Sequence, residues 1–62
     1  MTASMDDRVR QLRHDLSNPL SAILAETQLL LLRASELDHE TVSSLKEIES
    51  LSRRMREILQ HT

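Results

Sequence analysis

Apolar residues recur every three or four positions along almost the whole of this 62-residue chain, and the rhythm breaks only once. Met5, Val9, Leu12, Leu16, Ile23, Leu30 and Ala34 keep that spacing when Pro19 and Thr27 fill the intervening seam positions, which predicts one long helix over about 5–34. Leu20, Leu24 and Leu31 form a second stripe beside the first, so the apolar face is wider than a two-stranded coiled coil needs. Ser4 starts this helix, because its hydroxyl accepts a free backbone N–H, and Asp6 and Asp7 suit the positive helix end. The break, Ala34 to Asp38, predicts a loop at about 35–38, with Asp38 as N-cap of a second helix over about 39–61. In that helix Val42, Leu45, Ile48, Leu51, Met55, Ile58 and Leu59 make the apolar face. Ser43, Lys46, Ser50, Arg53, Glu57 and Gln60 make the wet one, and Glu49 supports Arg53 one turn on.

Two helices joined by so short a link fold back into an antiparallel hairpin. A lone hairpin leaves each stripe half covered, and a core of this size rarely stabilises a chain without help. The expected fold is therefore all-α, a single domain over residues 1–62 whose hairpin dimerises into a four-helix bundle. Val9, Leu12, Leu16, Ile23, Leu30, Leu45, Ile48, Met55 and Leu59 are the residues expected inside that parallel homodimer.

Composition excludes other tasks. The chain has no Cys, hence no disulfide and no thiolate metal site, and no Phe, Tyr or Trp on which a base could stack. Eight Lys and Arg against ten Asp and Glu leave a formal charge of -2, so phosphate backbones gain nothing by approaching and nucleic acid is not an expected partner. The longest apolar run, Leu29 to Leu32, is far too short for a membrane span, and a cytoplasmic location is expected. Without any Gly there is no loop to cradle a nucleotide, so this chain is expected to hold no cofactor and no metal of its own.

Chemistry concentrates in His14-Asp15-Leu16-Ser17-Asn18-Pro19-Leu20. His14 stands two residues from both Leu12 and Leu16, about 200° around the helix from each, and so points to solvent. Asp15 beside it can orient an imidazole and take its proton as the ring attacks, and Asn18 follows one turn later on the same exposed strip. Pro19 removes the hydrogen bond to the carbonyl of residue 15 and costs about 3 kcal/mol in a helix interior. It either starts a separate helix after residue 18 or kinks the turn that holds His14. A purely structural bundle gains nothing from such a kink.

This segment resembles the H-box of sensor histidine kinases, in which the phosphoaccepting His is followed by an acid, an apolar residue, a polar position, Thr or Asn, then Pro and Leu. The likeness continues through Leu16 to Leu32 and into Leu45 to Leu59, so it covers nearly the whole chain. It implies a dimerisation and phosphoacceptor (HisKA-type) domain, with His14 phosphorylated, Asp15 the assisting acid or base, and Asn18 positioning water in dephosphorylation. Ser17 departs from the Lys or Arg often found at its position. The implied partners are a second copy, a separate kinase domain that binds ATP and Mg, and the receiver domain of a response regulator. The alternative is a purely structural helical dimerisation module without phosphotransfer.

Other candidates are plainer. His39 and His61 lack metal-ligand spacing and read as surface residues. Leu29 to Leu32 reads as bundle core plus one exposed Leu, and Met5 and Met55 as core fillers. Arg53, Arg54 and Arg56 read as a solvated face, with docking of an acidic partner as the functional alternative.

Overall fold

The structure is a computed structural model that describes residues 4–61. It contains two long helices, α1 (Met5–Leu31) and α2 (His39–Gln60), and no strand among the described residues. Both helices start as the sequence specifies: the Ser4 hydroxyl accepts from Asp7 N at 3.1 Å, and Asp38 Oδ1 accepts from Thr41 N at 2.7 Å. Helix α1 runs unbroken through Pro19, which removes the possibility of a separate helix ending at residue 18.

The first helix ends at Leu31, not near residue 34, and the link to α2 is ordered. Arg33 leaves helical geometry at φ -105°, ψ 25°. The hydrogen bonds then tighten to the i–3 pattern, with Glu36 N on Arg33 O at 2.9 Å and Leu37 N on Ala34 O at 3.1 Å, giving a 3-10 turn over Ala34–Glu36. Arg33 Nε donates to Glu36 Oε2 at 3.0 Å across this turn. The backbone reverses with no positive φ among the described residues, which is how a chain without Gly makes its bend. The second helix closes at Gln60, one residue before the expected end, and the His61 N–H returns to the carbonyls of Glu57 and Ile58.

The hairpin is a rod of 54 × 15 × 12 Å. Its buried and half-buried positions trace one stripe along each helix: Val9, Arg13, Ser17, Leu20, Leu24, Thr27 and Leu31 on α1, and Val42, Leu45, Glu49, Ser52 and Leu59 on α2. Leu20, Leu24, Thr27 and Ser52 are the most deeply enclosed. Thr27 satisfies its hydroxyl by donating to Ile23 O at 2.7 Å.

Leu12, Leu16, Ile23 and Leu30 stay exposed about 80° around α1 from the seam, and Ile48, Leu51, Met55 and Ile58 stay exposed on α2. Both sets lie on one side, because Leu16, Pro19, Leu20 and Ile23 line a single apolar groove with Met55, Ile58 and Leu59. Several positions expected inside a core are therefore open within one hairpin, Met5 and Met55 among them. Of the four leucines at 29–32, Leu29, Leu30 and Leu32 are exposed rather than one. Leu30 continues the apolar face, whereas Leu29 is turned about 100° away from it around the helix and Leu32 is carried into the turn because the helix stops at Leu31.

Candidate functional site

His14 sits in the third turn of α1, with 71% of its side chain exposed. Its Nδ1 lies 3.6 Å from Asp15 Oδ1, an electrostatic contact longer than a hydrogen bond, so Nε2 is on the far side of the ring from the carboxylate. Asp15 is itself held, because Gln11 Nε2 donates to the same Oδ1 at 2.9 Å across one helical turn. One carboxylate oxygen thus accepts from the amide and also faces the imidazole.

Asn18 is exposed one turn beyond His14, about 40° around the helix from it, so His14, Asp15 and Asn18 do share an outer strip. Pro19 does not belong to that strip. It lies about 140° around from His14 and lines the apolar groove. Its missing N–H still acts on the site, since the carbonyl of Asp15 has no donor at the following turn. Ser17 is half-buried and donates to Arg13 O at 2.6 Å, which turns its hydroxyl back onto the helix.

Sequence reasoning passed over Gln11 and Arg10, which line a shallow groove with His14 and with Asp7, read from the sequence only as part of the helix start. The signal was spacing: Gln11 is four residues before Asp15 and Arg10 four before His14. Arg10 Nη1 lies 3.7 Å from Asp7 Oδ1, with both side chains exposed.

Elsewhere, His61 lines an open surface depression with Ser50, Arg53, Arg54 and Glu57, and Arg53 Nη2 donates to Glu49 Oε2 at 3.4 Å. His39 begins α2 on the surface. Among the described residues no three of His, Cys, Asp and Glu come together as metal ligands, and no helix is long and apolar enough to cross a membrane.

The His Kinase A (phospho-acceptor) domain family matches residues 4–62, which takes in both helices and the turn between them. The chain belongs to that family. The His Kinase A hairpin described here is thus a phosphoacceptor and dimerisation module of the histidine-kinase type, one part of a transferase used in two-component signalling. No curated protein and no solved structure gave a significant match.

Proposed function

We propose that His14 is the phosphoacceptor and that two copies of the antiparallel hairpin work as a parallel homodimer, a four-helix bundle. The observation that carries this reading is the division of faces: His14 and Asp15 lie on the wet side of α1, while the apolar groove opens on another. A bundle can close over the groove and leave the imidazole accessible.

In this reading His14 attacks the γ-phosphorus of ATP through Nε2, the bond from that phosphorus to the bridging oxygen of ADP breaks, and Asp15 takes or shares the Nδ1 proton as the ring becomes cationic. ATP and its Mg²⁺ are held by a separate catalytic domain, consistent with a chain that has no glycine loop. His14 then passes the phosphoryl group to an Asp carboxylate of a response-regulator receiver domain. Asn18, which offers both a donor and an acceptor, positions water in the reverse step, hydrolysis of that acyl phosphate. A module fed by ATP in this way works in the cytoplasm.

Surface area supports the second copy. A compact monomer of 7.2 kDa exposes about 4,100 Å², whereas this hairpin exposes 5217 Å². The excess is comparable to the roughly 800 Å² per partner that specific interfaces bury.

The test is to supply a histidine-kinase ATP-binding domain and ATP and to follow phosphate on the module. An acid-labile, base-stable phosphate that disappears in His14→Gln is expected. Its persistence in that variant assigns the acceptor to another residue.

A further inference from the structure

We propose that Arg10 is a positioning residue for phosphoryl transfer: its guanidinium leaves Asp7 and holds the phosphoryl group carried by His14. This role rests on His14 as the acceptor, and the geometry of the turn leads to it.

Arg10 and His14 line one groove, together with Asp7 and Gln11. Helical side chains lean toward the N-terminus, so the His14 imidazole lies over the turn that contains Arg10. The present partner of Arg10 is weakly held, at 3.7 Å with both side chains exposed, a geometry in which an ion pair contributes little. A phosphoryl group on Nε2 is a stronger partner, since it brings up to about two negative charges and three acceptor oxygens that a guanidinium can grip in bidentate fashion. Other cations of this turn are placed differently. Arg13 is half-buried on the seam side, and Arg8 lies about 120° around the helix from His14. Asp7 then acts as a parking place that keeps Arg10 extended beside the empty imidazole.

Potassium phosphoramidate tests this without any kinase domain. In that reaction His14 Nε2 bonds to phosphorus, the phosphorus–nitrogen bond of the reagent breaks, and ammonia leaves with the Nδ1 proton as ammonium. Phosphorus NMR follows the rate of labelling and the half-life of the product, with His39 and His61 of the same chain as internal references. Arg10→Gln should slow labelling of His14 and shorten its half-life, each by about threefold, the scale of one exposed ion pair. Arg10→Lys should restore part of both. Asp7→Asn should act in the opposite direction, and that gain should vanish in the Asp7→Asn, Arg10→Gln double variant.

If His14 is labelled faster than His39 and His61 but equally fast in wild type and Arg10→Gln, the role of Arg10 is overturned while the acceptor stands. Arg10 loses the role as well if the Asp7→Asn gain survives in the double variant, because simple repulsion between Asp7 and phosphate then explains it. If His14 reacts no faster than His39 and His61, the acceptor assignment falls and the Arg10 proposal falls with it.

Discussion

His14 owes its accessibility to phase and its electrostatic setting to Asp15. The Gln11 amide anchors that carboxylate at 2.9 Å, so Asp15→Asn removes the charge while keeping the shape of the side chain. We expect Asp15→Asn to slow phosphorylation of His14 under single turnover and to leave helicity by circular dichroism unchanged. An unaltered rate takes Asp15 out of the mechanism. For Asn18, exposed and one turn away, replacement by Ala should spare His14 phosphorylation and slow hydrolysis of a phosphorylated receiver domain by about tenfold, or about 1.4 kcal/mol of barrier. Phosphate release from a prephosphorylated regulator measures this, and equal rates make Asn18 a structural residue. The exposure of His14 was legible from its offset to Leu12 and Leu16. The grip of Gln11 on Asp15 was not, because it depends on rotamers that spacing permits but does not impose.

At the scale of elements, the two N-caps do what their sequence specifies, and Asp38 adds a pH dependence. Hydrogen bonds from the Thr41 side chain and then its backbone N–H stabilise the Asp38 carboxylate, holding its carboxyl below the usual value. A carboxyl lowered on folding adds stability that is present above its unfolded value and is lost as pH falls through the folded one. The melting temperature of the hairpin should therefore drop in acid, below the ordinary carboxylate range, and Asp38→Asn should flatten that part of the profile. A wild-type and variant pair with parallel profiles removes Asp38 as the cause. The end of α1 was the least legible boundary. Ala34 continues the apolar rhythm, yet the i–3 bond of Arg33 N to Leu30 O at 3.0 Å ends the helix earlier, and the i–3 bonds of Glu36 and Leu37 carry the chain round toward α2.

For the molecule as a whole, the decisive feature is the apolar face that the hairpin leaves open. Ile23 is exposed, and it lines the groove between Pro19 and Met55. A carboxylate there, buried in a bundle of two copies without a cation to meet it, carries a large desolvation cost. We expect Ile23→Asp to weaken dimerisation by about 2–3 kcal/mol, roughly a hundredfold in dissociation constant. Sedimentation equilibrium over a concentration series checks this, and a wild-type chain that stays a folded monomer throughout removes the bundle. The variant should also lose phosphorylation at His14 only to the extent that dimers are needed, since residue 23 is far along α1 from residue 14.

Periodicity, caps and one unbroken link were enough for the sequence to determine two helices, their antiparallel arrangement and the wet placement of His14, because each depends on local geometry and on phase within a single helix. Phase does not say how far one helix is rotated about its own axis against the other. The sequence shows two adjacent stripes on α1, and the one led by Leu12, Leu16 and Ile23 has the better heptad spacing. The tertiary structure nevertheless encloses Leu20 and Leu24 of the second stripe together with Val9 and Thr27 of the first, buries Ser52 on α2, and leaves Leu12, Leu16, Ile23 and Leu30 open. Side-chain packing across the pair decides that rotation, and Thr27 can enter the seam because its hydroxyl is satisfied on Ile23 O.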